Sequence, residues 1–262
     1  MKLAISNIAW KAEWDNTIYS YLKEQEIQGL EIAPTRIFPE KPYEKLEEAT
    51  FWAKKLKENY QLEIPSMQSI WFGRSENIFA NEKERNSLFD YTKKAIDFAA
   101  AVKCGNLVFG CPRNRSYEGK YPLAIATEFF KELGDYAYSK GTVLAMEANP
   151  TLYNTNFMNE TAQALEFVKQ VNSGGFLVNL DMGTMIYNKE SLSVLNGNIE
   201  YINHIHISEP GLALIEKRQL HDELAELLRQ ENYKKFVSIE IKTQEDIEKV
   251  KEAVNYMKSI FL

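Results

Sequence analysis

Short apolar runs rich in β-branched residues alternate along the chain with longer stretches whose apolar positions recur at helical spacing. The short runs predict strands at Leu3–Ile8, Gly29–Ile32, Glu63–Met67, Asn106–Gly110, Thr142–Glu147, Leu177–Asp181, Ile202–Ile207 and Phe236–Ile241. The amphipathic stretches predict helices over Pro42–Asn59, Asn81–Val102, Pro122–Ser139, Glu160–Val171, Arg218–Gln230 and Gln244–Lys258. Boundary chemistry agrees with this periodicity. Asn159-Glu160-Thr161 opens a helix with an early acid, and Lys140-Gly141 closes the preceding one at a residue free to take positive φ. Thr243-Gln244-Glu245-Asp246 sets a hydroxyl cap and two acids at the positive end of the last helix.

Strand and helix alternating eight times in 262 residues predict an α/β fold, a (β/α)8 TIM barrel, with residues 1–262 forming one domain. Parallel strands need right-handed crossovers, and eight of them can close without leaving an edge. A doubly wound open sheet is the alternative. Against it, no strand is followed by Gly-x-Gly-x-x-Gly or by a phosphate-cradling Gly-rich loop ending in Gly-Lys-Ser/Thr. No composition shift or Ser/Gly-rich linker divides the chain.

Composition narrows the chemistry. A hydrophobic content of 45% and a charged content of 26% exclude collagen, coiled coil and wholesale disorder. The excess of 37 acidic over 31 basic residues, a formal charge of −6, gives no attraction to a phosphate backbone, so nucleic acid is not an expected partner. No apolar run approaches the ~18 residues of a membrane span, so no membrane association is expected. The first residues reach Lys11 and Glu13 before a signal-length apolar core develops, and Cys104 and Cys111 are too few for a disulfide framework, so a cytoplasmic protein is expected. Cys111, beside Pro112, has no adjacent histidine or helix start to activate it. Only His204, His206 and His221 are present, which restricts metal chemistry to carboxylate-rich sites.

In a barrel, function collects at the C-terminal ends of the strands. The last four predicted strands each carry a metal-ligand type near that end: Glu147, Asp181, His206 and Glu240, at successive separations of 34, 25 and 34 residues. Three carboxylates crowded into one mouth repel each other and resist burial. A divalent cation resolves both problems. This donor set suits Mn²⁺, Mg²⁺, Co²⁺ or Zn²⁺, with positions left for substrate oxygens. Helix capping or pairing with Lys or Arg is the other account of each acid taken singly.

The stretches Glu147-Ala148-Asn149-Pro150, Leu180-Asp181-Met182-Gly183-Thr184-Met185, His204-Ile205-His206-Ile207-Ser208-Glu209-Pro210-Gly211 and Ser238-Ile239-Glu240-Ile241 stand in one order and spacing. Together with Gly29-Leu30-Glu31-Ile32, they make the chain resemble the xylose-isomerase-like superfamily, in particular its sugar-phosphate isomerase/epimerase group with ketose 3-epimerases and hydroxypyruvate isomerases. That resemblance implies one divalent metal held by Glu147, Asp181, His206 and Glu240, with Glu147 and Glu240 as acid/base groups on opposite faces of a ketose. It also implies a carbohydrate substrate and frequent assembly into dimers or tetramers. Such chemistry removes a proton beside a carbonyl and returns it through a metal-stabilised enediolate.

Two departures from the family pattern are visible. Thr184 stands where many members carry a histidine, and Ser208-Glu209-Pro210-Gly211-Leu212 lacks the arginine of ketose epimerases. The related DNA-repair endonucleases use three metals and many more histidines than this chain has. Replacement substrate contacts are sought in Asn149, in Arg113 and Arg115 of the loop after the fourth strand, in His221, and in Lys242 two residues beyond Glu240. Surface placement is the plainer account of both arginines and of His221, and His204 is read as a supporting residue deeper in the barrel. Tyr153, Trp10, Trp71 and Gln68 sit on segments that could wall a small-ligand pocket. The expected function is a metal-dependent sugar or sugar-phosphate isomerase/epimerase. A lyase or dehydratase on a related hydroxy-keto substrate and a non-catalytic carbohydrate-binding barrel stay open.

Overall fold

The computed structural model describes residues 1–262. Its strands are β1 (Lys2–Ser6), β2 (Gly29–Glu31), β3 (Leu107–Phe109), β4 (Leu144–Glu147), β5 (Phe176–Asp181), β6 (Ile202–Ile207) and β7 (Phe236–Ile239). Its helices are α1 (Asp15–Glu24), α2 (Pro34–Ile37), α3 (Leu46–Tyr60), α4 (Glu82–Ala101), α5 (Leu123–Ser139), α6 (Thr161–Val171), α7 (Met182–Asn188), α8 (Gln219–Gln230) and α9 (Ile247–Phe261). All paired strands are parallel, in the order β2-β1-β7-β6-β5-β4-β3, so the first strand lies beside the last.

The eighth strand expected at Glu63–Met67 is not a regular strand. It forms single parallel bridges, Gly29 with Glu63 and Ile32 with Met67 on one side, and Met67 with Leu107 on the other. Pro65 at its centre has no N–H, so no continuous ladder can run through it. The fold is therefore TIM-barrel-like, with seven strands in one sheet and a bridged segment touching both edge strands, in place of eight full strands.

Side-chain caps fix the start of four of the nine helices. Asn81 accepts the Glu84 N–H at 3.0 Å ahead of α4, and Glu160 with Gln163 forms a reciprocal capping box ahead of α6. The last helix starts later than its sequence predicts. Asp246, not Thr243, caps α9 by accepting the Glu248 N–H, while the Thr243 hydroxyl donates 2.8 Å to the Ile8 carbonyl. The short α2 and α7 escape the periodicity analysis because neither is long enough to show a period.

Strand interiors are buried on both faces, as expected of a parallel sheet wrapped by helices. Outside β3 to β5 the core is aromatic: Phe130 stacks on Phe176 at 4.9 Å, and Trp71 meets Phe109 edge-on at 4.7 Å. Packing there is close enough that a Cβ at Gly175 would lie 2.1 Å from the Gly134 carbonyl oxygen. No helix is long and apolar enough to cross a membrane. Because all strands run the same way, their C-terminal ends open on one side, where the acids of β4, β5 and β7 meet.

Candidate active site

Glu147 ends β4, Asp181 ends β5, His206 is the penultimate residue of β6, and Glu240 follows β7, its N–H donating 3.0 Å to the Ile207 carbonyl. Strand register sets Asp181 beside His206 and His206 beside Ser238. The four side chains converge, one ligand atom of each lying within 4.8 Å of the others. His206 Nδ1 is 3.1 Å from Glu147 Oε1 and 3.2 Å from Glu240 Oε2. No lysine or arginine pairs with any of the three acids. The Glu147 and Glu240 side chains retain 10% and 11% of their exposure, so a small ligand can reach them.

Each acid is held differently. Asn179 Nδ2 donates 2.8 Å to Glu147 Oε1, and Asn149 Nδ2 donates 2.9 Å to Oε2. Gly110 leaves the room this carboxylate occupies, since a Cβ there would lie 2.8 Å from Oε2. Asp181 Oδ1 accepts the Thr184 N–H at 2.6 Å, and Oδ2 accepts from the Ser208 hydroxyl. The Thr184 hydroxyl lies 2.8 Å from both Asp181 Oδ1 and the Ala148 carbonyl, so it braces the end of β5 against the loop after β4.

Below the cluster lies a carboxylate that the sequence reading does not assign to the site. Glu31, at the end of β2, is fully buried, with Oε2 2.9 Å from His206 Nε2 and 3.2 Å from His204 Nε2. A His206 that donates Nε2–H to Glu31 keeps its Nδ1 lone pair aimed at the ligand cluster, the arrangement that orients metal-binding imidazoles. Glu31, His204 and His206 also form a second group of potential ligand atoms within 4.8 Å.

The charges are strongly coupled. Burial pushes the Asp181 carboxyl up to about 6 and the Glu240 carboxyl up to about 7; the Glu147 charge adds to both shifts, and His206 opposes them. Burial also pushes the Glu31 carboxyl up, but the adjoining His206 and His204 outweigh it and hold that group well below the usual carboxylate range. For His206, burial favours the neutral ring, yet Glu31, Glu240 and Glu147 together raise its pKa well above normal. Four acids around two imidazoles leave an excess of negative charge, and a set of three carboxylates and one imidazole fits a hard or borderline divalent cation.

Over residues 20–260 the sequence matches the family described as xylose isomerase-like TIM barrel. The chain belongs to that family. Solved structures of similar fold include D-psicose 3-epimerase in the presence of D-fructose, 17% identical, with a TM-score of 0.79 over 100% of this chain and 99% of that one. A 3-keto-D-glucoside 4-epimerase from E. coli is 18% identical, with a TM-score of 0.77 over 99% of each chain. An AP endonuclease of family 2 from Brucella melitensis is 17% identical, with a TM-score of 0.72 over 98% of each chain. None of the curated proteins matches.

Within this xylose isomerase-like barrel, the remaining candidates take separate positions. Asn149 lies in the cluster beside Glu147, and Arg115 is wholly buried behind it, Nη2 donating 2.7 Å to Asn149 Oδ1. Arg113 is exposed on the turn Pro112–Asn114. Lys242 is exposed and outside the cluster; β7 ends at Ile239, so the strand alternation that would align it with Glu240 does not continue. His221 is neither exposed nor over the mouth. It shares the inward face of α8 with Leu224, Ala225 and Leu228, and its Nδ1 lies 3.0 Å from the Tyr256 hydroxyl on α9.

The mouth is spanned by Tyr153, whose hydroxyl accepts the Gly211 N–H at 3.1 Å and so ties the loop after β4 to the loop after β6. Burial, followed by the charge of Asp181, pushes this phenol up to about 12, with Glu240 and Glu147 acting in the same direction. Its proton therefore stays on and is available to an oxygen in the mouth. Burial pushes the Cys111 thiol up to about 12, which disfavours the reactive thiolate.

Glu31, Asn179, Ser208 and Gly110 are the site residues that sequence reasoning passes over. Two carried a readable signal. Glu31 ends a short apolar strand just as Glu147 does, and Asn179 precedes Asp181 by two residues on the same strand face.

Proposed function

We propose that this protein is a divalent-metal-dependent sugar isomerase or epimerase in which Glu147 and Glu240 move a proton at a carbon beside a ketose carbonyl. The observation that carries the reading is the approach of both glutamates, from β4 and from the end of β7, to the same His206 nitrogen, with Asp181 completing the cluster. Glu147, Asp181, His206 and Glu240 hold the cation, which when bound polarises the substrate carbonyl and acidifies the neighbouring C–H. Mn²⁺, Mg²⁺, Co²⁺ and Zn²⁺ all suit this donor set. One glutamate takes the proton from carbon and the other returns it; return to a neighbouring carbon is isomerisation, and return to the opposite face is epimerisation. Glu31 fixes the His206 ring, and Tyr153 donates to a sugar hydroxyl across the mouth. A carbohydrate substrate is supported by two structural neighbours that are sugar epimerases and by the chain's anionic charge, which disfavours a polyphosphate ligand.

The test is solvent-deuterium incorporation into a panel of ketoses by Mn²⁺-loaded protein, alongside metal analysis of the purified chain before and after chelation. Exchange at carbon without loss of water is expected, with Glu240→Gln lowering it by roughly 10²–10⁴-fold while sugar binding persists. Elimination of water would replace this reading with a lyase. Sugar binding without exchange would make the barrel a binding protein.

A further inference from the structure

We infer that Arg115 is a positioning residue that acts through Asn149 to hold the Glu147 carboxylate in place, a step that rests on reading the cluster as a metal-binding active site. Three of the six other arginines pair with acids, Arg36 with Asp15, Arg74 with Glu76 and Arg218 with Glu209, and the remaining three, Arg85, Arg113 and Arg229, are not buried. Arg115 is wholly buried and touches no carboxylate. Its Nη1 lies 3.1 Å from Met146 Sδ and 3.5 Å from the Phe109 carbonyl, its guanidinium sits 5.7 Å from the Phe109 ring centre, and its Nε has no partner. A cation kept in such surroundings is costly unless an anion or a function offsets it. The nearest anion is one amide away.

The chain of contacts has a fixed direction. Arginine only donates, so the Asn149 carboxamide must turn its oxygen toward Arg115, at 2.7 Å, and its NH₂ toward Glu147 Oε2, at 2.9 Å. Reversing that amide would set donor against donor and oxygen against carboxylate. The arginine is itself anchored. Cys111 takes a left-handed φ of 42°, and the Asn114 side chain donates 2.7 Å to the Glu76 carbonyl, fixing the turn just ahead of Arg115. So placed, the guanidinium cannot reach a substrate phosphate in the mouth without giving up Asn149.

Charge alone and positioning predict opposite signs. A buried cation near a metal site repels the metal, so removing it by Arg115→Met should tighten metal binding if charge is its only effect. If Arg115 orients Glu147, removal loosens binding by roughly 10–100-fold, the range for lost support of a ligand. The experiment is Mn²⁺ titration of wild type, Arg115→Met, Arg115→Lys, Asn149→Leu and the Arg115→Met/Asn149→Leu double variant, with kcat and KM for whichever ketose the wild type turns over. Weaker Mn²⁺ binding in both arginine variants is expected, because lysine keeps the charge but not the fork. The double variant should lose no more than the worse single one, as a shared route requires. Unchanged or tighter Mn²⁺ binding, additive losses, or a rise in KM alone would each overturn the inference. If Arg115→Met does not fold, Arg115→Lys decides. A wild type that binds no Mn²⁺ would instead overturn the proposed function.

Discussion

Glu147 and Glu240 are the same residue type at equivalent strand ends, yet their surroundings differ. The first is gripped on both oxygens by the amides of Asn179 and Asn149, with Arg115 behind one of them. The second has His206 as its polar partner, 3.2 Å away. Register explains part of the contrast, because β5 sets Asn179 opposite Glu147, whereas the strand beside β7 on its outer side, β1, ends in the small Ser6. A carboxylate held at both oxygens keeps one geometry. One held by a single partner can turn and carry a proton. Under the proposed function, this contrast would make Glu147 the more rigid and Glu240 the more mobile of the two glutamates that share ligand and acid/base roles.

The largest expected consequence concerns the metal-free protein. Asp181 and Glu240 have carboxyls raised to about 6 and about 7 in the folded state, so each favours folding when protonated. That stability is present below the ordinary carboxylate range and is lost as pH rises through about 6 to 7. His206, also raised, acts with the same sign; His204 and His221, both lowered chiefly by burial, act against it up to the ordinary histidine range, and Glu31, held low, acts only in more acidic solution. Chelated protein should therefore lose stability between pH 5 and about pH 7.5, less steeply than the two acids and His206 alone would give. Denaturant unfolding measures this directly. With Mn²⁺ present the slope should reverse, because the ion binds deprotonated ligands, and Glu240→Gln should flatten the metal-free slope. A metal-free stability that rises over this interval would show that the acids are not crowded together in solution.

Next in size is an attack on the fixed end. Gly110 is not in a left-handed conformation, so an added methyl meets only a space problem, and the atom it meets is Glu147 Oε2, at 2.8 Å. The far end of a side chain yields more readily than backbone. Gly110→Ala should therefore turn Glu147 away from its two amides while leaving the thermal midpoint nearly unchanged. Mn²⁺ affinity should fall by roughly 10–100-fold, as when a ligand loses its support. A large loss of stability with normal affinity would mean that Glu147 is held more firmly than the backbone around Gly110, which takes up the strain instead.

Why these supports were hard to read in advance is a matter of which interactions are local. The β/α alternation and the strand-end positions of Glu147, Asp181, His206 and Glu240 depend on periodicity within each unit, which a sequence displays. The partners of those residues depend on register between units. Nothing near Glu31 in sequence announces His206, 175 positions away, nor does Ser208 announce Asp181. Misplaced expectations have the same origin. Lys242 needed β7 to continue past Ile239, Thr243 was drawn off its cap by the Ile8 carbonyl, and Pro65 reduced an apparent strand to bridges. His221 turned inward because the apolar stripe of α8 runs through its position.

The smallest effect tests the mouth between the two ends. Tyr153 lies on the loop after β4 but reaches Gly211 on the loop after β6, crossing the opening above Asp181. Its hydroxyl accepts from Gly211 and keeps its own proton for the ligand. Tyr153→Phe removes both contacts while keeping the ring that shields the opening. The expected cost is about 0.5–1.5 kcal/mol in substrate binding, the value of one ordinary hydrogen bond, read as a higher KM with kcat little changed. Mn²⁺ affinity should not move, since Tyr153 touches none of the four converging side chains. A drop in kcat at constant KM would place Tyr153 among the groups that handle the proton, and the contrast between a fixed glutamate and a mobile one would then need a third member.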